Sequence, residues 1–355
     1  MSTKFSTRSL GDDRSAEAAS AWRSPIRSAL NNKISRNSFI VSLRRLVSAE
    51  NLHENKSLGE YTSTGLGGVA DQVVIVHDGE QLLSVIKLAV SYAQPYAILG
   101  GGTGTLISEV GFPGTVIINQ AQGFSFDYQT SQVVCDSGLS NDRLVNSCAS
   151  QGWGGLEFLA AIPGTIGGAV VSGASWQGKN LRPFVKEMRV FVPSAKVDEG
   201  GEIVSVVNNQ LPKVSDQPIL FPLLPPGGQM PVILTIRLQM AKLNEEEVRR
   251  RLLNFRQQRS HQQTLLLSNI FVPALVDTKI PSAEIRKLRM PEGVNFDRRN
   301  LELLQFRGST TVNGIRQAIN QIIELAKYYG TSLETRLTFL GYWPDKEGDA
   351  DPSDA

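Results

Sequence analysis

Cysteine and histidine are scarce in this 355-residue chain, which has two cysteines, Cys135 and Cys148, and three histidines. Two thiols make no disulfide framework, and no Cys/His run has zinc-site spacing. A reducing, cytoplasmic setting is the expectation. An excess of one charge is also missing: Lys+Arg 36 against Asp+Glu 34 leaves +2. Bulk electrostatics therefore favour neither nucleic acid nor a membrane surface as partner. No apolar run approaches the roughly 18 residues of a membrane span, and the first thirty residues lack the apolar stretch of a secretory signal. A soluble protein is expected, and 41% hydrophobic residues suffice for more than one core, with about two domains at this length.

Residues 1–45 hold ten serines and nine Lys/Arg against three acids. Their thinly scattered apolar residues predict a disordered extension. A Ser/Arg-rich targeting peptide is the other reading, against which Asp12, Asp13 and Glu17 count. Residues 344–355 read as an acidic tail. Between these ends helices and strands alternate. Leu82, Val85, Ile86, Ala89 and Val90 recur at helical spacing, and Tyr96, Ala97, Ile98 and Leu99 make a short strand behind Pro95. Strands are also expected at 115–118, 133–135 and 232–238, and helices at 142–149, 245–259 and 311–329. The last of these takes Ser309 or Thr310 as cap and Gly330 as stop. A proline-rich stretch at 211–231 is a candidate boundary. Arg249, Arg250, Arg256 and Arg259 share one face of the 245–259 helix, leaving a solvated face, an anion site or a nucleic-acid contact open as readings.

Glycine is plentiful and clustered. Gly100, Gly101, Gly102, Thr103 and Gly104 follow a strand directly, where bare backbone N–H groups can converge on a phosphate. This is not the Rossmann fingerprint, because Thr105 stands where the third glycine belongs, and no lysine completes a Walker loop. Taken alone the loop could equally be a tight turn. A second loop at 155–169 joins an apolar run to a Pro-Gly turn and a glycine pair, and a third spans 61–71. Three such loops in one domain are hard to explain as turns.

In their order and in residues such as Gly155, Leu156, Glu157 and Phe158, then Ile162, Pro163, Gly164 and Thr165, then Gly167, Gly168 and Ala169, these loops resemble the UDP-N-acetylenolpyruvoylglucosamine reductase family. Those flavoenzymes make UDP-N-acetylmuramate for peptidoglycan. The resemblance covers roughly residues 55–342 and is dense to about 180. It implies an α+β fold, an FAD-binding domain of the vanillyl-alcohol-oxidase (PCMH) type followed by a smaller α/β C-terminal substrate domain. The implied limits are 46–240 for the first and 243–343 for the second. It also implies an FAD-binding oxidoreductase, NADPH as electron donor and a small-molecule substrate such as a UDP-sugar or another anion. Gly100, Gly101, Gly102, Thr103 and Gly104 would take the FAD pyrophosphate, with Ile162, Pro163, Gly164, Thr165 and Gly168 along the flavin and ribityl chain.

The same resemblance exposes departures. The family reaction uses a serine as proton donor, with an arginine and a glutamate stabilising the enolate-like intermediate, chemistry that needs an acid in reach and a cation near developing charge. Residues 211–228 contain no arginine for that role. Asn269 aligns with the serine, with Ser268 one residue away, and Arg336 stands at the glutamate position with Glu334 two residues off. Gly104 and Gly173 replace family asparagines, and Arg298 a histidine. Ser268, Glu334 and Arg336 are the candidate catalytic residues. Two classes stay open, an oxidoreductase with replaced residues and a non-catalytic flavin-binding or regulatory homologue. Cys148 reads as a core residue, and Trp153 and Trp176 as core or flavin-packing side chains.

Overall fold

The computed structural model describes residues 33–194, 200–208, 230–260, 266–268, 270–272, 275, 278–297, 301 and 303–343. Its first element overturns an expectation. Lys33–Leu46 (α1) is a helix, not part of a disordered extension, and Phe39, Leu43 and Val47 are buried against the next helix and the first sheet. Their i, i+4, i+8 spacing is a helical stripe that the serine- and arginine-rich average conceals. Arg36 adds an ion pair to Asp71 at 3.0 Å, and burial raises the Asp71 carboxyl while Arg36 holds it down. Residues 1–32 and the tail at 344–355 lie outside the described residues. Leu43→Ala should cost about 2–5 kcal/mol in denaturant unfolding, whereas Val41→Ala, on a half-exposed position, should change stability by under about 0.5 kcal/mol.

Strands Leu52–Ser57 (β1), Val69–Val76 (β2), Tyr96–Leu99 (β3) and Phe112–Asn119 (β5) form one sheet in the order β1-β2-β5-β3, with short Thr105–Ile107 (β4) between. β2, β5 and β3 are parallel, connected through Gly79–Ser91 (α2), whose N-cap Asp78 accepts from Gln81 N–H. A second, all-antiparallel sheet holds Phe124–Asp127 (β6), Gln132–Asp136 (β7), Val185–Pro193 (β8), Gly201–Val207 (β9) and Val232–Gln239 (β10) in the order β9-β8-β10-β7-β6. Asn141–Ala149 (α3), Ile166–Val171 (α4) and Glu245–Ser260 (α5) accompany it.

α5 corrects the expected domain limit at 243. Val248, Leu252 and Phe255 are buried in the core of the second sheet with Phe158, Leu159 and Leu144, so this helix closes the first unit. Its arginines are partly engaged: Arg249 pairs with Glu245 and Arg256 with Asp142, both at 2.6 Å. Arg251 lies 3.8 Å from the buried Glu157, whose other oxygen accepts from Gly155 N–H at 2.8 Å.

The second unit comprises Leu266–Ser268 (β11), Phe271–Val272 (β12), Ser282–Lys287 (α6), Val294–Phe296 (β13), Leu303–Phe306 (β14), Val312–Tyr328 (α7), Glu334–Thr335 (β15) and Thr338–Leu340 (β16). α7 buries Val312, Ile315, Ala318, Ile319, Ile322 and Ala326. Its cap is Thr311, not Ser309 or Thr310, because the Thr311 hydroxyl accepts from Gly314 N–H at 2.9 Å. Gly330 (φ 68) ends the turn after it, as read from the sequence. Several contacts tie the units. β16 pairs in parallel with β4, placing Leu106 in the second unit's core, and the Glu109 carboxylate accepts from Val312 N–H at 3.0 Å.

Candidate functional site

The three glycine-rich loops, far apart in sequence, meet. Gly102 (φ 61) lies so close to the 61–71 loop that a Cβ would overlap the Tyr61 carbonyl oxygen and sit 2.9 Å from Thr62 Cα. Its own carbonyl accepts from Ser63 N–H at 3.0 Å. A Cβ on Gly101 would stand 2.7 Å from Gly164 Cα, and one on Gly164 (φ 115) 2.8 Å from Thr103 Oγ1. The 100–104 and 162–165 loops thus touch backbone to backbone, which only glycine allows.

Their hydrogen bonding is one-sided. Thr103 Oγ1 donates to the Pro163 carbonyl at 3.1 Å. The Ile162 carbonyl receives Asn141 Nδ2 at 2.9 Å, and the Gly164 carbonyl receives Asn141 N–H at 3.0 Å. The Gly104 carbonyl receives Thr338 N–H at 2.9 Å. Among the described residues, no acceptor takes the N–H of Gly101, Gly102, Thr103, Gly164 or Thr165. Backbone donors left open while the Gly102, Gly104, Ile162, Pro163 and Gly164 carbonyls are occupied make an environment for an anion. Gly101, Pro163 and Gly168 are exposed on this surface. Thr165 closes the set by capping α4, its hydroxyl accepting from Gly168 N–H at 3.2 Å.

Of the second unit's candidate residues, Arg336 reaches across to the first unit. Arg336 N–H donates to the Ile270 carbonyl at 2.7 Å, joining the 266–272 segment to the strand of Glu334. The Arg336 guanidinium donates to the Gly173 carbonyl across the unit boundary, so two positions singled out in the sequence meet each other. Gly173 (φ 60) follows the end of α4, where a cation is favourably placed against exposed carbonyls. Glu334 is exposed and pairs through its backbone with Val272. Ser268 pairs with Leu303. Asn269, Arg298, the 211–228 segment and the side chain of Ser268 lie outside the described part.

Residues 70–201 match the family model described as an FAD binding domain. The UDP-N-acetylenolpyruvoylglucosamine reductase of Lachnoclostridium phytofermentans is 26% identical over 317 residues, covering 86% of this chain and 98% of the relative. What the chain is similar to is the UDP-N-acetylenolpyruvoylglucosamine reductase group. Within it, the reductase of Clostridioides difficile is 31% identical over 172 residues, and the matched part spans only 54% of that relative's length and 48% of this chain. The crystal structure of the reductase from Thermus caldophilus superposes with a TM-score of 0.61 at 20% identity, over 80% of this chain and 97% of that one. The α+β fold with an FAD binding domain is the one expected from sequence. Among the described residues no helix is long and apolar enough to cross a membrane, and no group of three or more His, Cys, Asp or Glu could hold a metal.

Several side chains fall outside the site. Cys135 and Cys148 are both 1% exposed in the core of the second sheet. Burial raises both thiols, Cys148 to about 12, so neither offers a thiolate near neutral pH. Trp153 and Trp176 are core residues, Trp153 packing edge-on against Phe126 and Tyr128. Asn141, which sequence reading missed, is 1% exposed and holds two carbonyls of the 162–164 loop. An asparagine at the start of a helix carries no sequence signal for that task.

Proposed function

We propose that the chain binds FAD across the three converged loops and acts as a flavin-dependent oxidoreductase on an anionic substrate of the UDP-sugar class, with NADPH as electron donor. The observation that carries this reading is the one-sided hydrogen bonding of the two touching loops. The residues present fit the group: a pyrophosphate offers only acceptors, and the cradle offers donors with no competing carbonyl at Ile162, Pro163, Gly164 or Gly104. Gly101, Gly102, Thr103, Gly164 and Thr165 would hold the pyrophosphate, and Ile162, Pro163 and Gly168 would lie along the flavin and ribityl chain. Bound FAD supplies hydride chemistry. The protein's part is to hold the substrate against the flavin and exclude water, with Ser268 the candidate proton donor and Arg336 the cation facing the FAD-binding domain.

A second reading, a flavin-binding homologue without catalysis, is favoured by one observation. At the position of the family's glutamate the chain offers a guanidinium tied to a backbone carbonyl, which neither donates nor accepts a proton near neutral pH. Purified protein should show flavin absorption bands or acquire them on addition of FAD. Folded protein that stays colourless and takes up no FAD would overturn both readings, while bound flavin without NADPH oxidation on any UDP-sugar acceptor would favour the second.

A further inference from the structure

Asn141 lies in none of the stretches on which the family resemblance rests, yet it is among the most completely buried polar side chains described, at 1% exposure. It stands in the first turn of α3, behind Ser140, whose hydroxyl caps the helix by accepting from Arg143 N–H at 3.1 Å. Residues 137–140 run against the 162–167 loop, with Ile166 N–H donating to the Leu139 carbonyl at 2.9 Å and Gly167 N–H to the Ser137 carbonyl at 2.8 Å. Asn141 completes that contact with two donors, Nδ2 on the Ile162 carbonyl and N–H on the Gly164 carbonyl. Its Oδ1 is buried with no hydrogen-bond partner. Turning the amide over would set Oδ1 against the Ile162 carbonyl oxygen, so the loop fixes the side chain in this orientation and leaves the acceptor unmatched. Buried polar atoms without partners are rare enough to call for a cause, and here the cause is the donor on the other arm of the same amide.

That donor decides which way the loop presents its dipoles. Pro163 has no N–H, so the peptide between Ile162 and Pro163 contributes only a carbonyl, which would repel an anion if it faced the cradle. The carbonyl and N–H of a trans peptide point in opposite directions, so fixing the Gly164 carbonyl on α3 turns the Thr165 N–H away from α3. We propose that Asn141 is a positioning residue for anion binding, holding the Ile162 and Gly164 carbonyls back against α3 so that the 162–165 loop shows an approaching pyrophosphate its donors alone. This rests on the flavin reading and adds a residue that neither the loops nor the resemblance assigned to it.

The test compares wild-type protein with Asn141→Leu and Asn141→Asp, measuring binding of FAD and of riboflavin, which lacks phosphate, together with melting of the ligand-free proteins. Asn141→Leu should weaken FAD at least tenfold while changing riboflavin affinity less than twofold, so that the preference for FAD over riboflavin collapses. Asn141→Asp keeps the shape, loses the donor and adds a negative charge, and its FAD affinity should fall further still. Equal losses for the two ligands, or FAD affinity within twofold of wild type in a folded variant, would overturn the proposal. Should the leucine variant not fold, the same ratio in Asn141→Asp decides. Wild-type protein that binds no FAD would defeat the flavin reading itself, a result distinguishable from either outcome in the variants.

Discussion

Gly102→Val is expected to yield protein that melts well below its parent and takes up no FAD. A β-branched residue at φ 61 is strained, and its Cβ would overlap the Tyr61 carbonyl oxygen and crowd Thr62 Cα. Strain and overpacking together should cost roughly 2–6 kcal/mol, and whatever relieves them must part the 61–71 loop from the 100–104 loop, breaking the Ser63 to Gly102 hydrogen bond. Sequence reasoning expects such a valine to intrude on the phosphate. The structure puts the collision behind the loop, on protein. Gly104→Ala is the control, since a Cβ there meets nothing within 4 Å. Flavin released per chain on denaturation and thermal melting decide the matter. A valine variant that melts and loads like wild type would disprove the convergence of the loops.

The second large effect concerns chemistry. NADPH oxidation driven by UDP-N-acetylglucosamine enolpyruvate should run about a hundredfold to ten-thousandfold below the rate of enzymes that keep a positioned acid, if, as the sequence resemblance implies, Asn269 stands at the donor position and Arg336 at the glutamate's. Arg336→Glu would restore the family's residue type but lose the bond to Gly173. It should also weaken binding of phosphate and carboxylate ligands at low salt, a difference that shrinks as salt rises. Turnover at the family's usual rate would refute the view that the site has diverged. Identical anion affinities in wild type and Arg336→Glu would remove this arginine from the substrate site.

What could be read from sequence divides along physical lines. The glycine loops were legible because glycine at close backbone approaches leaves a compositional trace. That Gly102 abuts Tyr61, or that Gly101 abuts Gly164, was not, since those contacts join distant segments. α1 was lost because its stripe of Phe39, Leu43 and Val47 is three residues deep in a window dominated by serine and arginine, and tertiary burial rather than propensity makes the helix. The spacing over 245–259 predicts the helix α5 but not its place against the second sheet, because periodicity identifies an apolar face without naming what covers it. The cap of α7 slipped from Thr310 to Thr311 among three adjacent hydroxyl residues, each a competent cap. Asn141 and Thr103 matter through the carbonyls they reach, and that information lies in the fold.

The pairing of β16 with β4 has a consequence in time. Thr105, Leu106 and Ile107 acquire their parallel neighbours Thr338, Phe339 and Leu340 only after more than 200 further residues have been made. At roughly 5–20 residues per second of synthesis, the strand leaving the 100–104 loop waits on the order of ten to fifty seconds with an open edge and with Leu106 exposed. During that interval the nascent chain presents a sticky strand edge to anything nearby. A ribosome-bound chain stalled before residue 338 should therefore recruit chaperones through the β4 segment, and should release them once the last strand emerges.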